Sequence, residues 1–104
     1  MLRITDIPEI TADGSAVRTL RLDGEVAGEW VKQLRHAWRA VRLAAPHSPI
    51  SVVLADVHGV DAAGRALLAE MRLDGARIIV TDAVEATVRS EIVRAISSDE
   101  PPGD

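Results

Sequence analysis

Apolar and polar positions along this chain change period several times, and each change marks an element. From Leu2 to Ile7, and again from Ala16 to Asp23, apolar residues return at every second position, the spacing of a half-exposed strand. Pro8 ends the first run. Ala12-Asp13-Gly14-Ser15 supplies turn chemistry between them, so the two runs predict an antiparallel hairpin at one edge of a sheet. From Gly24 the period lengthens to about 3.6. Val26, Trp30, Leu34, Ala37/Trp38, Val41 and Ala45 then form one apolar stripe of a helix that Pro46 and Pro49 end.

Ser51 to Val57 predicts a central strand, apolar on both faces as a strand covered by helices must be. A second helix follows over Gly64 to Leu73, with Leu67, Leu68 and Met71 inward and Asp74-Gly75 closing it. Ala76 to Thr81 contains Ile78-Ile79-Val80, another buried strand. Asp82 and Glu85 have capping-box spacing and open a last helix whose inner face is Val84, Val88, Ile92 and Ala95/Ile96. The predicted order is β-β-α-β-α-β-α. Right-handed crossovers turn that order into an α/β fold, a mixed, mainly parallel sheet of about four strands with helices packed on it. Residues 1–96 form one domain, and 97–104 an acidic tail expected to be disordered.

Composition refines this picture. Hydrophobic residues make up 47% of the 104 and aromatics only 2%, so Val, Ile, Leu and Ala must build the core. A net charge of −4 argues against general binding to nucleic acid or to an anionic membrane, which both reward a positive surface. Absence of cysteine removes disulfides, thiol nucleophiles and Cys-based zinc sites. The amino terminus meets charge at once, and no run of about 18 uncharged apolar residues occurs, so a soluble cytoplasmic protein is expected.

Candidate chemistry is thin. His36, His47 and His58 share no ligand spacing, and the sole lysine, Lys32, lies mid-helix with no glycine-rich phosphate loop nearby. Asp56 and Asp61 are five residues apart across a predicted loop, but an aspartate at position 61 is accounted for as the N-cap of the second helix. Trp30 and Trp38 fall on the apolar stripe and read as core. Lys32, Arg35, His36, Arg39 and Arg42 form a basic ridge on the first helix. Cations suit the carboxyl-terminal end of a helix dipole, which favours a solvated face; docking of an acidic partner is the alternative. No catalytic residue, metal or cofactor is expected.

One stretch exceeds packing. Val52-Val53-Leu54-Ala55-Asp56-Val57-His58-Gly59-Val60-Asp61-Ala62-Ala63-Gly64 resembles the STAS family, the domain of anti-sigma factor antagonists and sulfate-transporter tails. Leu54, Val57 and Val60 match its apolar positions, and Asp61 and Gly64 the fixed ends of its Asp-Ser-Ser-Gly motif. Leu20-Arg21-Leu22-Asp23-Gly24-Glu25-Val26 is similar to its second strand and the glycine leading to its first helix. The resemblance covers Leu20 to Ile96. It implies partner switching, in which the second Ser of the motif is phosphorylated by an anti-sigma factor kinase. Ala62 and Ala63 stand at the two Ser positions, so phosphorylation cannot act there. Ala27 and Val53 also replace aspartates common in the family.

The resemblance therefore implies a non-enzymatic interaction module of bacterial transcription signalling without phosphoacceptor control. Its expected partner-binding residues are Gly59, Asp61, Ala62, Ala63, Gly64, Arg65 and Leu68. Its expected partner is a protein: an anti-sigma factor of the histidine-kinase-like ATPase kind, or a response regulator. A sensor of a small ligand, nucleotide or lipid, held by helix amides and Arg65, is one alternative. A structural subunit of a signalling assembly, or a homodimer joined at a sheet edge, is another.

Overall fold

Alternation at the amino-terminal end does build a hairpin. In the computed structural model, which describes residues 1–97, β1 (Leu2–Ile10) and β2 (Ala16–Val26) pair antiparallel. The turn closes where the Thr11 amide donates to the Ser15 carbonyl at 2.9 Å and Gly14 takes φ 86°. Helix α1 (Glu29–Ala44) leads to β3 (Ile50–Val60), and α2 (Ala62–Leu73) to β4 (Arg77–Val80); α3 (Ala86–Ser97) follows. Both crossovers are parallel, so the fold is α/β with a mixed four-stranded sheet in the order β1-β2-β3-β4. Its element order is the one the spacing predicts. Ser97 ends α3 rather than starting a tail, and the remainder of the expected disordered tail lies outside the described residues.

Each crossover steps to the next strand in the same direction, and right-handed connections then leave α1 and α2 on one face. Leu20, Leu22, Val52 and Leu54 meet Leu34, Leu67, Leu68, Met71 and Ile92 there, all fully buried in a single core. The opposite face carries Thr19, Arg21, Ser51, Val53 and Ile79, none of them buried. Central-strand coverage on both faces is thus corrected. Val53 lies between Arg21 and Ile79 in register, and these cross-strand neighbours half-cover a valine that no helix needs to cover.

Three boundaries also shift. β1 continues through Pro8 to Ile10, because an edge strand has an outer side where a residue without N–H is tolerated. α1 begins at Glu29 instead of Gly24, since β2 stays paired with β3 as far as Val26. Its buried residues are Val31, Leu34, Trp38 and Val41, so Val26 is a strand residue and Trp30 only borders the core. α3 begins at Ala86, and no Asp82–Glu85 capping box forms. Val84 is buried within the preceding turn, whose shape is held by Arg89 Nη2 donating to the Thr81 carbonyl at 2.7 Å. Where β4 ends, Thr81 satisfies β3, its hydroxyl donating to the Ala55 carbonyl at 2.6 Å.

A one-sided sheet is expected to treat neighbouring valines differently. Val52→Thr places a hydroxyl in the core and should cost about 1–3 kcal/mol. Val53→Thr should stay within about 0.5 kcal/mol of the parent. Urea denaturation midpoints at equal slope check the pair, and equal losses would contradict the open face.

Candidate functional site

The stretch before α2 is strand, not loop. Leu54, Val57 and Val60 are all buried although three residues apart, a spacing that ordinary pleating does not give. The pairing with β2 accounts for it: Leu22 faces Leu54, Asp23 faces Asp56, Gly24 faces Val57, Glu25 faces Gly59 and Val26 faces Val60. Twice β3 gains a residue on β2, at Ala55 and at His58, and each shift returns the next apolar side chain to the core. His58 therefore sits exposed on β3, its Nε2 3.8 Å from the Asp56 carboxylate.

Asp61 follows with extended backbone, φ −90° and ψ −177°, and caps α2. Its Oδ1 accepts from the Gly64 amide at 2.7 Å, and its Oδ2 from the Gly28 amide at 2.9 Å, 33 residues away. The Asp61 amide donates to the Val26 carbonyl at 3.3 Å. One side chain thus joins the loop after β2 to the loop after β3. The amide donated by Gly28, then that of Gly64, lowers the Asp61 pKa, with the positive charge of Arg65 adding to the effect. Gly64 is demanded by contact: a Cβ there would lie 2.1 Å from the Val26 oxygen. Aspartate and glycine at this spacing close a junction between two crossover units.

Among the other expected partner-binding residues, Ala62 and Ala63 are exposed on the first turn of α2. Arg65 is turned inward to its own loop, Nη1 donating to the Val60 carbonyl at 3.2 Å and lying 3.8 Å from Glu91. Gly59 is half-buried in β3; its φ is not positive and a Cβ would meet nothing, so no contact demands glycine. Leu68 is fully buried and offers no surface to a partner, because its turn of α2 faces the sheet. Asp56 and Asp61 do not form a working pair: both Asp61 oxygens are committed to amides, while Asp56 borders Arg3, Arg21 and Asp23 on the open sheet face. Among the described residues no group of three or more His, Cys, Asp or Glu is placed to hold a metal ion, and no helix is long and apolar enough to cross a membrane.

The amino terminus of α2 presents Ala62 and Ala63 beside a carboxylate that already takes the Gly64 amide. A negative charge fixed there disfavours a bound anion at that helix end. The geometry offers a small, apolar, rigid shelf. Sequence reasoning missed Gly28 as the second donor to Asp61; Gly24 and Gly28 flanking Val26 were its only local trace.

Gly64→Ala is expected to cost about 1–3 kcal/mol by overpacking. Gly59→Ala should change stability by no more than about 0.5 kcal/mol. Chemical denaturation of both variants tests this contrast. Asp61→Asn leaves a single acceptor oxygen for two amides and should lower the denaturation midpoint at neutral pH. A carboxylate with a depressed folded pKa stabilises above its unfolded value of about 3.9 and loses that contribution as pH falls through the folded value. The gap between parent and Asp61→Asn should therefore narrow below about pH 4. A gap constant down to pH 2 would remove the charge from this account.

Compared with known proteins, the chain matches no family model and no curated protein.

Proposed function

We propose that this chain is a non-enzymatic protein-interaction domain of the anti-sigma factor antagonist kind, STAS-like, acting in bacterial transcription signalling from the surface around Ala62 and Ala63. The observation that supports this reading is the Asp61 bridge, which fixes the first turn of α2 against the β2–α1 loop while leaving both alanines exposed. A surface ordered beforehand loses little conformational entropy when a partner docks. Neither alanine has a hydroxyl to accept a phosphoryl group, so docking there has no covalent off state at these positions. The partner this reading names is a cytoplasmic histidine-kinase-like anti-sigma ATPase. A ligand sensor at the same helix end is disfavoured, since Asp61 supplies the charge and the acceptor that an anionic ligand would bring.

Calorimetric titration with such an ATPase from the source cell tests the reading. Saturable binding is expected, and Ala63→Glu should weaken it at least about tenfold, or ~1.4 kcal/mol, with unchanged thermal unfolding. Ala63→Ser should become a substrate for the kinase. No binding at about 100 μM, a level that half-saturates an affinity of about 5.5 kcal/mol, would sink the proposal.

A further inference from the structure

β4 ends the sheet on the side away from β1, and its composition does not suit an outer strand. Arg77-Ile78-Ile79-Val80 is apolar at three successive positions, the run of a strand with neighbours on both sides. The other outer strand differs. β1 spreads Arg3, Asp6 and Glu9 along its length and carries Pro8, residues that keep an edge from pairing. Among the described residues no strand lies beyond β4, and α3 packs on α2 and β3. Ile79 accordingly stays 38% exposed on the open face, beside Val53. At the end of β4 the Thr81 amide donates to the Leu54 carbonyl at 3.2 Å. Strand backbone alternates in direction, so the amides and carbonyls of Ile78 and Val80 point away from β3.

We propose that β4 pairs antiparallel with β4 of a second copy of this chain, joining the two sheets into one across a two-fold axis at Ile79. The backbone sets the register. Ile78 and Val80 hold the outward donors and acceptors, so Ile78 of each copy faces the partner's Val80 and exchanges both bonds with it. Ile79 then faces its own counterpart, and Arg77 faces the partner's Thr81, whose amide and carbonyl are already taken within its own chain. Both faces of the seam are apolar. On the open face the row Val53–Ile79 meets the same row of the partner; on the other, Ile78 and Val80, which pack on the core, meet each other. Charge at the two ends selects a second copy over an unrelated strand. Arg77 is exposed and makes no ion pair among the described residues, and Asp82, next after Thr81, is exposed with Arg89 at 3.4 Å. Antiparallel pairing brings each Arg77 beside the partner's Asp82, twice per dimer. A seam of 4 residues a side is small, which makes this dimer weak and reversible. Its formation does not depend on the shelf at Ala62 and Ala63.

Sedimentation equilibrium of the full chain from about 10 μM to about 1 mM tests the pairing, with a dissociation constant of roughly 100 μM expected for a seam this small. The mass should climb from one copy towards two. Ile79→Lys sets like charges against each other at the axis and should weaken association at least about tenfold. Arg77→Glu should weaken it about fivefold, the effect of losing two exposed ion pairs. Adding Asp82→Arg to the same chain should restore it, because opposite charges then meet again across the seam. Circular dichroism checks that each variant folds; if Ile79→Lys does not, the exposed Arg77 and Asp82 variants decide alone. A chain that stays monomeric throughout that range, growth beyond two copies, dimers indifferent to a folded Ile79→Lys, or a double variant no stronger than Arg77→Glu would each overturn the proposal.

Discussion

The carboxylate of Asp61 holds two crossover units together, and most of what is ordered at this edge of the molecule depends on it. Each crossover ends a strand and starts a helix, leaving free amides at both places. Asp61 takes one amide from each unit, Gly28 and Gly64, while its own amide returns to Val26. The Val26 carbonyl then lies so close to Gly64 that no side chain fits between them. Helix positions, strand ends and the exposed shelf of Ala62 and Ala63 follow from that closure.

The far ends of the same two helices are joined by other means. Arg35–Glu70 and Arg42–Asp74 are partly exposed pairs, individually worth little in water. Their effect is directional: they orient the guanidinium groups across the seam and leave Arg39 facing outward. Bonds from one carboxylate to two backbone amides thus close one end of the two-helix layer, and ion pairs between side chains span the other.

Much of this was legible in the sequence, and the reasons are local. Alternation in β1 and β2, the apolar stripe of α1, and the Asp74-Gly75 stop each express a periodicity or a cap that neighbouring residues determine. The order of elements and the four-stranded sheet followed from those. Asp61 as a cap was readable too, since a capping aspartate acts within three residues. Its second bond was not, because Gly28 lies 33 residues earlier and only the folded chain brings the two together. Val53 suggested coverage on both sides because apolar character says nothing about which neighbour supplies the cover; Arg21 and Ile79 do. The start of α3 was misplaced because Asp82 and Glu85 have capping spacing, but burial of Val84 claims the backbone between them. Helical phase turns Leu68 inward, as its spacing with Leu67 and Met71 predicts, so its nearness to the motif does not make it a partner-binding residue.

The two register shifts in β3 also set how this chain tolerates change. Ala55 and His58 are the extra residues, and they let Leu54, Val57 and Val60 all reach the core across a spacing of three. Exchanging the side chain of either extra residue alters little, because neither enters the core. Removing one of them would leave the β2 partners of the other residues as they are, because β2 already alternates regularly from Leu22 to Val26 and only the bulge would be lost. Divergence in this segment should therefore concentrate at Ala55 and His58, in letter and in length alike, while Leu54, Val57 and Val60, which fill the core, stay apolar.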